Sequence, residues 1–324
     1  MAGYLLRRLA QVAVVVALVA TIAFVLIHLA PGDPFGDTLE NPNVTDEMRA
    51  QLRQSYGLDR PLPEQFAKYV ASVFRGDFGW SHSEQRPVKY VLRDALPNTL
   101  LLMSIALAAS FALGIAVAVA QASRPGSTTD RALSGISLFF FSVPEFWLAT
   151  MVIALIAYRL PGFPIGGMVN IVEHSSYSRG GQLWDLAKHT VFPAATLTLL
   201  FSAVVARYQR AALLDVLPAD YVRTARAKGV SERNIVRRHA LRNALLPVIT
   251  LFGLAFPALL TGTVFIEKVF GWPGMGLVIV SSIDSRDYAL LMAAIIVGSV
   301  LVALGSLLAD LLYRVADPRI RDDR

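Results

Sequence analysis

Thr99–Ala120, TLLLMSIALAASFALGIAVAVA, contains no charged side chain and shows no alternation of polar and apolar positions. Wound as a helix, a run of this length crosses a hydrocarbon core about 30 Å thick. A membrane-barrel strand would be only about 10 residues long, with a polar residue at every second position. Backbone in lipid must satisfy its own hydrogen bonds, so the helix is the solution left. Outward from this run, further apolar stretches follow the same logic: Leu9–Leu29, Leu133–Tyr158, Val191–Ala206, Pro247–Ile266 and Tyr288–Leu312. The expectation is an all-α integral membrane protein with six transmembrane helices. Composition agrees, since 55% of the 324 residues are hydrophobic and 17% charged, against about a quarter charged in soluble domains.

Charge gives the orientation. With six spans both termini share a side, together with 121–132 and 207–246. That side carries 17 Lys/Arg and 7 Asp/Glu, whereas 30–98, 159–190 and 267–287 carry 13 and 15. The positive-inside rule then predicts a multi-pass protein of a prokaryotic inner membrane with both termini cytoplasmic. The net charge of +6 is read as topology charge and not as a nucleic-acid footprint. Arg7 and Arg8 precede a first apolar run longer than the ~7–15 residues of a signal peptide, and no small-x-small cleavage site follows. The expectation is an uncleaved anchor.

The resulting organisation is an anchor helix (1–30), an extracytoplasmic cap loop (31–97), a five-helix core (98–313) containing a cytoplasmic loop (207–246), and a tail (314–324). In the cap, Thr45 is placed to start a helix over Asp46–Tyr56, and Phe66, Tyr69, Val70 and Phe74 recur at helical spacing within Pro63–Phe74. This segment reads either as a structured cap without chemistry or as a docking surface. In the inner loop, Asp220–Lys228 has an acidic start and a basic end that suit the helix dipole, with Gly229 as its stop. Ser231 is placed to cap a second helix, Glu232–Leu246. Seven Lys and Arg residues decorate this knob, from Arg223 to Arg242. Physics alone fits anionic lipid and a protein partner equally well.

Enzyme chemistry finds no footing. The chain has no cysteine, no Gly-x-x-x-x-Gly-Lys-[Ser/Thr] loop, no His-Glu-x-x-His and no Gly-x-Ser-x-Gly, and its five histidines are far apart in sequence. No metal site is expected. Glu145, which follows Pro144 inside the third apolar run, is the carboxylate expected within a span. It reads either as a structural group facing a neighbouring helix or as part of a translocation path. Asp310 is expected to pair with Arg314, and Pro193 and Pro257 to kink their helices. A secondary transporter would show internal repeats and mid-membrane ion sites; no clear repeat relates residues 1–160 to 161–324.

The segment Asp220–Val248, DYVRTARAKGVSERNIVRRHALRNALLPV, resembles the cytoplasmic coupling loop of ABC-importer permeases of the oligopeptide, dipeptide and nickel family. YLLRRLAQ (4–11), HLAPGDP (28–34), YGLDRPLPEQFAKYV (56–70), GDFGWS (76–81), LPNTLLL (96–102), SVPEFW (142–147), LPGFPIGG (160–167), FPAATLTL (192–199), VFIEKVFGWPGMG (264–276) and DPRIR (317–321) agree in the same order. The chain is most similar to the family's first permease subunit, which carries a large outer loop after its first helix. The resemblance implies a type I importer permease fold and passage of a peptide, with nickel or another small solute as the alternative cargo. It also implies a second homologous permease, two ATPase subunits that bind ATP and Mg, an extracytoplasmic solute-binding protein, and no ATPase site in this chain. Asp220, Tyr221, Arg223, Thr224, Ala225, Arg226, Ala227, Lys228 and Gly229 would couple the ATPases to the pore, with small Ala225 and Ala227 allowing close approach. Against the general Glu-Ala-Ala-xxx-Gly pattern, Ala225 and Gly229 match, Arg223 and Thr224 replace the Glu and first Ala, and Pro247 stands further along. Pro144 and Glu145 would line the path.

Overall fold

The computed structural model describes residues 2–29, 60–155, 159–160, 162–255 and 264–316. The expected helix Asp46–Tyr56, its cap Thr45, and Pro257 lie outside them, as do the side chains of Asp310 and Arg314. The elements in chain order are α1 (Ala2–Leu29), α2 (Leu62–Phe74), β1 (Trp80–Ser81), β2 (Arg86–Pro87), α3 (Val88–Ala122), α4 (Thr128–Ser142) and α5 (Glu145–Leu155). There follow α6 (Arg179–Val216), α7 (Asp220–Ala227), α8 (Glu232–Asn234), a π-helical segment Ile235–Ala240, α9 (Leu241–Ala244), α10 (Leu246–Ala255), α11 (Val264–Phe270), α12 (Met275–Asp284) and α13 (Tyr288–Ala316).

Among the described residues, α3, α6 and Tyr288–Leu307 of α13 are long and apolar enough to cross a membrane, and α1 adds the apolar stretch Ala10–Val25. Two further candidates are broken. The third expected span is not one helix: α4 and α5 meet at a bend of 106°. The cause is local. A proline disfavours helical backbone in the residue before it, and Val143 is extended (φ −76°, ψ 131°). Pro144 then opens α5, its carbonyl accepting from Leu148 N–H (3.1 Å). Pro97 and Pro193, by contrast, sit inside continuous α3 and α6. The second broken pair, α11 and α12, bends by 79° and falls where an outer loop was expected over 267–287. Two more boundaries move: α3 begins at Val88, inside the expected cap, and α6 runs to Val216, inside the expected inner loop.

Two compact units emerge. One comprises 1–96 with 277–303. In it Phe24 of α1 packs edge-on against Phe66 of α2 (5.3 Å between centroids) and stacks on Tyr69 (6.1 Å), so the apolar stripe of α2 is used much as its spacing predicts. The β1–β2 hairpin is pinned by Asp287, which accepts from Ser81 Oγ (2.6 Å), Ser83 N–H (2.9 Å) and Ser83 Oγ (2.9 Å), and from Leu290 N–H (3.1 Å) at the start of α13. Burial pushes the Asp287 carboxyl up, but these donors outweigh it and hold it below the usual carboxylate range.

The other unit comprises 97–276 with 304–324. One apolar cluster joins Leu102, Ala106, Leu148, Phe192, Leu197, Ile266, Phe270 and Trp272. A second joins Ala118, Ala122, Leu213, Val222, Ala225, Ile235, Val236 and Ala240. Helices α3 and α6 approach so closely at Gly114 that a Cβ there would lie 2.6 Å from Val205 Cβ, the small-residue contact that membrane helices use.

Candidate functional site

The knob between α6 and α10 is built from α7 upward. Ala219 (φ −62°, ψ 147°) stands at its N-cap without a side-chain bond, and Asp220 occupies the first turn. Val222 and Ala225 face inward and are buried. The helix ends as the sequence predicts, and the geometry is a Schellman turn. Gly229 N–H donates to Arg226 O (2.9 Å) and Val230 N–H to Ala225 O (3.3 Å), with Gly229 at φ +76°. Arg226 then folds back on Glu232, Nε to Oε1 at 2.6 Å and Nη2 to Oε2 at 3.2 Å. The guanidinium holds the Glu232 carboxyl below its ordinary range.

Asp220, Tyr221, Arg223, Thr224, Arg226, Ala227, Lys228 and Gly229 are exposed on one short helix and its turn. Ala225 is the exception. Its small side chain serves its own chain's core, not a partner surface, which corrects the expectation for it. Tyr221 is tied inward by its hydroxyl, which accepts from Asn243 Nδ2 (2.8 Å).

The expected second helix, Glu232–Leu246, is broken up. Ser231 occupies the N-cap position of α8 but makes no side-chain cap bond. The π segment has a packing cause: Ile235 and Ala240, both fully buried, would lie about 140° apart around an α-helix, and a wider turn brings them to one face. At the exit, Pro247 has no N–H to give, and Val248 N–H bonds Leu245 O (3.0 Å). Buried Gln209 of α6 donates from Nε2 to Ala244 O (3.0 Å), so the knob's exit is fastened to the helix that leads into it.

Pro144 and Glu145 form a separate locus at the α4–α5 break. Glu145 lies in the first turn of α5, half-buried, and not in the middle of a helix as expected. At a helix N-terminus a carboxylate is favoured by the dipole, which lowers the cost that made it conspicuous.

Sequence reasoning missed a third locus. Glu267, fully buried on α11, accepts from Thr99 Oγ1 (2.8 Å) and Gly276 N–H (2.6 Å), while Thr99 Oγ1 accepts from Met275 N–H (2.8 Å). Trp272 Nε1–H donates to Asn98 O (2.9 Å), and Asn98 Nδ2 to Pro273 O (2.8 Å). Gly167 N–H reaches Phe270 O (2.7 Å). A Cβ on Gly274 would meet Thr99 Oγ1 at 2.4 Å, and one on Gly166 would meet Phe270 O at 2.7 Å. Residues of three separate motifs, in 96–102, 160–167 and 264–276, thus converge. Glu145 is therefore not the sole carboxylate among the apolar segments. The signal was available: an acid inside an apolar run, followed by Gly-x-Gly seven residues on. Nearby on α6, buried Asp185 accepts from Asn170 N–H (2.9 Å) and His174 Nδ1 (2.7 Å).

The comparisons with known proteins follow this geometry. The family described as binding-protein-dependent transport system inner membrane component matches residues 110–322, and its N-terminal companion matches 1–103. The oligopeptide transport system permease protein AppB of Bacillus subtilis is 37% identical over 99% of both chains. The glutathione transport system permease protein GsiC of Salmonella paratyphi A is 36% identical over 99% of both. The dipeptide transport system permease protein DppB of Escherichia coli K12 is 33% identical, again over 99% of both. In fold the chain is similar to a chain of the inward-facing MetNI methionine ABC transporter, with a TM-score of 0.56 and 19% identity over 70% of this chain and 97% of that one. The chain is an integral inner-membrane protein with the type I ABC importer permease fold, and it belongs to the family of binding-protein-dependent transport system inner membrane components.

Proposed function

We propose that this chain is one half of the channel of an ATP-driven peptide importer. It pairs with a second homologous permease, receives peptide from an extracytoplasmic solute-binding protein, and is driven by two ATPase subunits that hold the ATP and Mg. Its termini and the knob are cytoplasmic, which the charge balance supports. The observation that carries the peptide reading is the full-length similarity to permeases named for oligopeptide, dipeptide and glutathione transport.

Coupling belongs to Asp220–Gly229. A rigid helix that is buried on one face, exposed on the other and fastened at both ends transmits displacement, whereas a loose loop would absorb it. Here Val222 and Ala225 anchor α7 below, and the exposed set from Asp220 to Lys228 is left for the ATPase. Pro144 and Glu145 border the path at the α4–α5 break, where half-buried Glu145 suits a peptide amino group or amide.

The test is uptake by the reconstituted transporter of labelled di- and oligopeptides against nickel. Peptide uptake that needs ATP is expected, and uptake of nickel alone would sink the peptide reading. An Ala227→Cys crosslink is expected to reach an ATPase subunit; capture of lipid only would remove the coupling role. Glu145→Gln is expected to change peptide selectivity, and unchanged uptake and selectivity would return Glu145 to a purely structural role.

A further inference from the structure

Between α4 and α6 runs a cleft where the apolar stretch of α6 gives way to Arg207 and Arg210. Its two lobes, about 430 Å³ and 410 Å³, share Arg207 and Ala211. The two arginines differ sharply. Arg210 is saturated by Asp130, with Nε to Oδ1 at 2.9 Å and Nη2 to Oδ2 at 2.8 Å. Arg207 lies 4.7 Å over the Phe141 ring and has no carboxylate partner among the described residues.

A second group is also unsatisfied. Gln121, 2% exposed, lines the same cleft, and its buried Oε1 has no hydrogen-bond partner. Its orientation is fixed by the network behind it. The Ser134 hydroxyl bonds the Asp130 carboxylate, which can only accept. The serine oxygen therefore receives Gln121 Nε2–H (2.8 Å) and turns the amide oxygen outward. A buried acceptor without a donor is costly. The cleft thus presents an uncompensated cation, a hydrogen-bond acceptor beside it, and an apolar wall that includes Leu138 and Phe141, both half or more exposed.

We infer that this cleft is a binding site for an anionic glycerophospholipid whose headgroup carries a hydroxyl, as in phosphatidylglycerol. The phosphate sits on the Arg207 guanidinium, the headgroup hydroxyl donates to Gln121 Oε1, and an acyl chain lies along Leu138 and Phe141. Position favours lipid over peptide, because an arginine at the end of an apolar helical stretch stands at headgroup depth. The inference requires a membrane protein and is independent of what the transporter carries.

The chain has no cysteine, so a fluorophore on Leu138→Cys reports from this wall alone. The whole transporter is placed in nanodiscs containing brominated phosphatidylglycerol or brominated phosphatidylcholine. Quenching by phosphatidylglycerol is expected at about fivefold lower lipid fraction, the equivalent of one basic contact. Arg207→Gln is expected to abolish that preference and Arg207→Lys to retain part of it. Gln121→Leu is expected to keep the preference for anionic lipid while losing discrimination between phosphatidylglycerol and phosphatidylmethanol, which lacks the hydroxyl. With Arg207 intact, equal quenching by the two brominated lipids overturns the proposal, whatever becomes of the variants. So does a label shielded from both lipids by the partner permease, or one protected by added peptide.

Discussion

The α7–Gly229 turn and the α11–α12 corner are both sharp reversals between helices, and they are held in opposite ways. The first is fastened at the surface, by a left-handed glycine and an ion pair whose arginine and glutamate side chains are 40% and 54% exposed. The second is fastened inside, by a fully buried carboxylate feeding two neighbouring segments. Water competes for every contact of the first and none of the second, so equal-looking hydrogen bonds carry unequal weight. A part that must meet a partner can be trimmed at modest cost; a part that sets the scaffold cannot.

Breaking the inner corner should have the largest effect. Glu267→Ala leaves the Gly276 N–H buried without its acceptor and is expected to cost at least about 2–4 kcal/mol, read as lowered thermal stability of the purified transporter. Glu267→Gln keeps one acceptor and should lose less. An unchanged melting temperature for the alanine variant would refute the contrast between the two corners.

Asp287 tests burial in the other unit. Its folded pKa lies below the unfolded value of about 3.9. Its stabilisation is therefore fully present above that value and lost as pH falls through the folded pKa. Asp287→Asn should flatten the acid limb of stability below about pH 4, with a loss at neutral pH of about 1–3 kcal/mol.

At the outer-facing turn, effects shrink. No atom lies within 4 Å of a Cβ built on Gly229, so Gly229→Ala meets only its left-handed backbone, about 1–2 kcal/mol. Uptake and substrate-stimulated ATPase should fall while membrane insertion persists, and Gly229→Asn should recover part of the loss. Smallest of all, a double-mutant cycle on Arg226 and Glu232 should give at most about 1 kcal/mol, shrinking with salt. A larger, salt-insensitive coupling would mean that the pair is buried in the assembled transporter.

The same contrast governs what could be read from the sequence. Helix α2 and helix α7 were legible because stripe spacing, an acidic start and a terminal glycine are local signals. The Glu267 ring was not, since Thr99 and Glu267 are 168 positions apart and no local rule joins them. Pro144 and Pro193 look alike in sequence, yet one separates two helices and the other lies within one. Neighbouring packing decided between them, with Val143 free to extend at Pro144 and α6 held on both sides of Pro193 by the buried Phe192, Ala194 and Leu197. The coupling residues were found as a set, but which of them face inward required the fold: Ala225 became core.

The π-wound stretch Ile235–Ala240 has a mechanical corollary. Wide turns of this kind accommodate a surplus residue within a helix. Deleting one position there would rewind it to ordinary pitch and swing everything downstream by about 100°. The stretch therefore works as an adjustable gear between the ATPase-facing knob and α10, and its residue count sets the phase in which a push from below arrives.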